Sequence, residues 1–207
     1  MVRLCPVVYD SSNPRTDFCV LINNSKYDDC LFLFNDNFKD RNSGNPGGNS
    51  ARIRPYTFCD PPRAMGISTG WSSSTGGFQS LDEDARQAIW LCFESINLIL
   101  AQYPHITRVV YSCDKYNTKS LGYALFKPSV DVTSYIEKQL QMIPQRAKSI
   151  AILSKTALSL AEDLLERRLC GKSTMTDFNE LEKNRYVDKF RKRKRVRVDD
   201  SVLRLYS

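Results

Sequence analysis

Cys30-Leu31-Phe32-Leu33-Phe34 is a run of five apolar residues with no polar alternation. A strand with one wet face alternates, so an unbroken short run reads as a strand covered on both faces. Covering both faces requires a layer on each side of the sheet, and the flanking segments supply it. From near Leu81 an amphipathic helix is expected: Ser80 stands as N-cap with Glu83 three residues on, and Asp82 and Asp84 lie in the first turn. Ala85, Ile89, Cys92, Phe93, Ile96, Ile99, Leu100 and Tyr103 then trace one face at a 3.6-residue period, and Pro104 ends it. Residues 106–113 read as the next strand. Leu121 to Phe126 is a further strand candidate, and residues 131–142 form a helix with Val132, Tyr135, Ile136 and Leu140 inward.

This βαβα order predicts a three-layer α/β fold with a mostly parallel sheet. Two short runs before it, Pro6-Val7-Val8-Tyr9 and residues 17–22, are rich in β-branched and aromatic residues and read as strands. Residues 35–50 read as a glycine- and asparagine-rich loop. Beyond Pro144 the pattern changes. Ile150, Leu153, Ala157, Leu160, Ala161, Leu164 and Leu165 make a second amphipathic helix stopped by Gly171, and another begins near Thr176. The expected organisation is an α/β body over residues 1–142 and an appended C-terminal helical hairpin over 143–207.

The chain's 207 residues, 42% of them hydrophobic, suffice for one such core. Its apolar runs are too short to span a bilayer, so no membrane partner is expected. Asp10, Arg15 and Asp17 interrupt the first twenty residues, which argues against a secretory leader. Seven scattered cysteines without a C-x-x-C pair, and one histidine, His105, are poor material for zinc or for Ser-His or Cys-His catalysis. Reduced thiols in a nuclear or cytoplasmic compartment, with no metal or cofactor, are the expectation.

The net charge of +7 is not spread evenly. Residues 183–198 hold nine basic residues against Asp188 alone, a net +8, which leaves −1 for everything else. Lys189, Arg191, Lys192, Arg193, Lys194, Arg195 and Arg197 are its dense part. Like charges at helical spacing repel, so a run this dense exceeds the needs of helix capping. It reads as a contact for nucleic acid or for an import receptor.

Two glycine-containing stretches could carry chemistry. Pro46-Gly47-Gly48-Asn49-Ser50 follows Phe34-Asn35-Asp36-Asn37, and Gly66-Ile67-Ser68-Thr69-Gly70-Trp71 precedes the long helix. Glycines let backbone N–H groups approach a ligand closely, and Arg52, Arg54 and Arg63 are phosphate-type donors. Neither stretch fits the P-loop or the dinucleotide fingerprint.

The segments Leu33-Phe34-Asn35-Asp36-Asn37, Gly47-Gly48-Asn49-x-Ala51-x-Ile53-Arg54, Gly66-Ile67-Ser68-Thr69-Gly70 and Val109-Val110-Tyr111-Ser112 with Asp114 resemble a compact, mostly uncharacterised family common in phages and large DNA viruses. More distantly the chain is similar to macrodomains, which bind ADP-ribose. The resemblance implies a macro-like, Rossmann-like body that binds or processes a nucleotide-like ligand. Asp36 and Asn37 would meet its distal ribose or base, with Asn35 and Asn49 beside them in the ligand site. Gly47, Gly48, Ser68, Thr69 and Gly70 would give N–H donors to the diphosphate, and Trp71 or Phe78 would stack on a ring. An ADP-ribosyl-type hydrolase would need a carboxylate to activate water, and Asp36 or Asp114 would serve. The alternative is a nuclear nucleic-acid-binding or structural interaction protein that works through its basic segment.

Overall fold

The computed structural model describes residues 1–123 and 127–169. Four strands form one sheet: β1 (Arg3–Val7), β2 (Cys30–Asp36), β3 (Ala64–Ser68) and β4 (Arg108–Ser112). Their order is β1-β4-β2-β3 and every pairing is parallel. All four carboxyl ends therefore lie at one edge, with Asp36 of β2 level with Ser68 of β3.

β2 is buried along its whole length, as its unbroken apolar run requires. Its side chains part by the period of two. Leu31 and Leu33 face a cluster with Ile89, Phe93 and Ile96 of α2 (Glu83–Gln102) and Val132, Ile136, Leu140 and Ile143 of α3 (Val130–Leu169). Phe32 and Phe34 face a second cluster with Phe18 and Leu21 of α1 (Phe18–Leu21) and Ile53 of a 3₁₀ helix, Asn49–Phe58. The result is a three-layer α/β arrangement around a parallel sheet.

Several elements differ from expectation. Residues 17–22 are not a strand. Asp17 caps a single helical turn by accepting the Cys19 N–H at 3.0 Å, and Phe18 and Leu21, three apart, point into the core together. The first strand runs over Arg3–Val7 rather than 6–9. Gly66 and Ser68 belong to β3 rather than to a loop, and the 3₁₀ helix occupies the end of the expected asparagine-rich loop. Asp82, not Ser80, is the cap of α2. Its carboxylate accepts the Ala85 N–H at 2.8 Å, and Ser80 donates to Asp82 instead.

Leu121 makes only an isolated antiparallel bridge to Cys113; residues 124–126 lie outside the described residues. α3 passes unbroken through Pro144, where two helices were expected. Proline there forgoes one backbone bond, while Leu140 and Ile143 on either side stay anchored in the core. Met1–Ala151 forms one compact unit. The expected second arm of the hairpin and the basic segment lie outside the described residues. None of the helices in the described residues is long and apolar enough to cross a membrane.

Candidate functional site

Open α/β sheets bind ligands beyond the carboxyl ends of their strands, and a cavity of about 480 Å³ opens there. Asn35, Asp36 and Asn37 at the end of β2 form one wall. Most of residues 43–51 form the other, and Asp40, Arg54, Ser73, Gly76 and Gly122 complete it.

Asp36 anchors the floor. Arg54 Nη2 lies 2.5 Å from its Oδ1 and Nε lies 3.0 Å from its Oδ2, a bidentate pair with both side chains at most 5% exposed. The third Arg54 nitrogen, Nη1, donates to the Asn45 carbonyl at 2.8 Å. Gly66 makes room for the pair, since a Cβ there would stand 2.7 Å from Asp36 Oδ2. Burial pushes the Asp36 carboxyl above its ordinary value. The Arg54 guanidinium and the Asn37 N–H pull it back down, and neighbouring Asp40 pushes it up. The always-charged guanidinium sits on both oxygens and holds a carboxylate.

The asparagines are structural as much as they are lining. Asn35 donates to the Tyr123 carbonyl at 2.9 Å and accepts from the Thr69 hydroxyl. Asn37 closes a turn with Asp40, donating to its carboxylate at 2.8 Å and accepting its N–H at 2.9 Å.

The cavity thus unites six of the expected residues, namely Asn35, Asp36, Asn37, Gly47, Gly48 and Asn49. Ser68, Thr69, Gly70 and Trp71 are not part of its lining. The Ser68 N–H points at the Cys92 sulfur at 3.5 Å, and the Thr69 N–H is taken by the Asp36 carbonyl at 2.9 Å. Gly70 is roofed by the next turn, its imagined Cβ 2.1 Å from the Gly76 carbonyl oxygen. Trp71 packs edge-on between Phe38 and Phe78, with centroids at 5.4 and 4.8 Å. Asp114 accepts the N–H groups of Tyr116 and Asn117 and so closes its own turn.

The three arginines expected as phosphate donors are committed elsewhere. Arg54 holds Asp36, Arg52 lies 3.5 Å from Asp17, and Arg63 reaches the carbonyls of Ile22 and Tyr27. The sequence pattern does not single out Asp40, Ser43 or Asn45, which also line the cavity. Their only signal was position between two glycine-rich stretches.

Among the described residues the cysteines are free thiols. Burial pushes Cys30 up to about 12 and also raises Cys113, which makes neither a nucleophile at neutral pH. No cluster of described residues has the ligands to hold a metal ion.

Comparison with protein-family models, with curated proteins and with solved structures finds no significant match to this chain.

Proposed function

We propose that this chain is a binding domain for a nucleotide-like small molecule of ADP-ribose type, seated in the cavity at the carboxyl edge of the sheet. That cavity carries the reading. Its volume falls in the range of small-molecule sites, and it gathers Asn35–Asn37 with Gly47–Asn49, the residues that the macro-like resemblance assigns to ligand. Binding is favoured over hydrolysis because both Asp36 oxygens are engaged by Arg54 and because Asp114 holds its own turn. Asp36 thus has no free oxygen, and Asp114 is not part of the cavity lining.

Calorimetry of the full chain with ADP-ribose tests this. Saturable binding is expected, and at one hundred times the dissociation constant the fold gains about 2.7 kcal/mol. No heat and no thermal shift with millimolar ADP-ribose would defeat the reading.

The concentrated +8 of residues 183–198 supports a second activity of the same chain, contact with nucleic acid or an import receptor in the nucleus.

A further inference from the structure

Ser134, Lys138 and Gln141 of α3 share one face by helical spacing, off the core positions Val132, Ile136 and Leu140. The turn after β4 lies against that face. Asn117 donates to Glu137 Oε2 at 3.1 Å, and Gln141 donates to the Lys119 carbonyl at 3.3 Å. Between turn and helix opens a second cleft, of about 510 Å³, lined by Lys119, Ser134, Glu137, Lys138 and Gln141. It shares no lining residue with the cavity at the carboxyl edge of the sheet.

The carboxylates here have donors and the ammonium groups lack acids. Glu137 takes the Asn117 amide, and Asp114 takes the N–H groups of Tyr116 and Asn117 at 2.7 and 3.1 Å. Lys115, Lys119 and Lys138 make no ion pair among the described residues. The turn that Asp114 closes presents Tyr116 to solvent at the rim of the cleft. Its residue is 87% exposed, and Lys115 Nζ lies 4.7 Å from the ring centroid. At that exposure the ring fills no core.

We propose that this cleft is a contact for single-stranded nucleic acid, with a base stacked on Tyr116 and the backbone led past Lys115, Lys119 and Lys138. The bases of a single strand are free to stack on an aromatic ring, whereas those of a duplex are stacked on one another. Ammonium groups are point charges that follow phosphate without reading sequence. The partner is a strand rather than an acidic peptide, because the flat exposed ring offers a stacking face beside the charges. One ring and three lysines hold a strand weakly. The contact therefore rests on the reading of residues 183–198 as the main polyanion contact of the chain, and adds to it a site that only single strands use.

The test is fluorescence anisotropy of the full chain with a labelled oligothymidine and with a DNA duplex of equal length, across a salt series. Tyr116→Ala should weaken the oligothymidine about tenfold and leave the duplex unchanged. Tyr116→Phe, which keeps the ring, should bind both as the parent does. Lys119→Ala combined with Lys138→Ala should reduce the salt slope for the single strand by about 1.4, at about 0.7 for each phosphate released, and again leave the duplex alone. Tyr116, Lys119 and Lys138 are all exposed, so these variants should melt with the parent.

Unchanged oligothymidine affinity in Tyr116→Ala, or equal losses on single strand and duplex, would overturn the cleft while leaving the basic segment as the polyanion contact. Tyr116→Phe falling as far as Tyr116→Ala would overturn it too, since the ring would then not be what binds. A parent chain that binds neither nucleic acid would defeat both readings.

Discussion

Replacing Arg54 by methionine removes three hydrogen bonds and strands a carboxylate. Asp36 is 1% exposed at its side chain and keeps only the Asn37 N–H as a donor after the change. Breaking a buried pair by deleting one partner costs about 3–5 kcal/mol, because the remaining charge is uncompensated. In a body of this size each kcal/mol moves the melting midpoint by roughly 2–4 °C, so R54M should melt on the order of 10 °C below the parent.

The pH dependence carries the sign. Burial already raises the Asp36 carboxyl, and Arg54 opposes that rise. Without Arg54 the folded-state value climbs further above its unfolded value, so the folded variant binds a proton that the unfolded chain does not. Its stability then falls as pH rises through the folded value and is regained on acidification. Urea unfolding of both proteins between pH 7 and pH 5 should show the gap narrowing as the buried carboxyl protonates. Asp36→Leu combined with R54M should recover part of the loss, as apolar replacement of both partners does elsewhere. A gap below about 1 kcal/mol that ignores pH would refute the account of this pair as a buried, mutually compensating unit.

Three further outcomes are expected. Asp29, held well below the usual carboxylate range chiefly by Arg108, lies at the opposite edge of the sheet; Asp29→Asn should cost on the order of 1 kcal/mol at pH 7. That contribution is fully present above the unfolded carboxylate value and is lost only as pH falls through the much lower folded value, so the gap between parent and variant should begin to narrow below about pH 4 and stay open at about pH 3 in melting scans. Gly70→Ala drives a Cβ against the Gly76 carbonyl oxygen and should cost about 1–3 kcal/mol, whereas Gly48→Ala, with open space around it, should cost little; equal unfolding midpoints would contradict the crowding. Truncation after Val187 should abolish DNA retention whose logarithm falls with log salt at about −0.9 per phosphate neutralised; salt-insensitive retention by both forms would remove the polyanion role.

The layers of this fold were legible where one signal dominated. The unbroken apolar run of β2 and the eight-residue stripe of α2 each permit a single reading, and both stand as expected. Short elements misled. Asp17 to Ile22 has the composition of a strand, but four helical residues are too few to display a period, and the decisive feature was the Asp17 cap. Pro144 carried a strong local preference that the core contacts of α3 override.

At the site, the sequence marked Asn35–Asn37 and Gly47–Asn49, which line the cavity, together with Ser68–Trp71, which do not. It could not say which N–H groups would be spent on the fold. Ser68-Thr69-Gly70 looks like a donor loop in one dimension, yet Cys92 and Asp36 claim its first two N–H groups. Arg54 looks like a free cation until Asp36, eighteen residues earlier, is brought beside it.

The strand order has a consequence for how the chain assembles. β1, made before the other three strands, pairs among the described residues with β4 alone, with Arg3 opposite Arg108 and Val7 opposite Ser112. A hundred residues must therefore be laid down before the opening strand finds its neighbour, and closing so long a loop exacts an entropic toll ahead of any reward. Until then Leu4 and Cys5 have no ladder to join, while β2 and β3, some thirty residues apart, can already pair. The sheet can start from its β2–β3 side, and β4 is the keystone whose arrival admits β1.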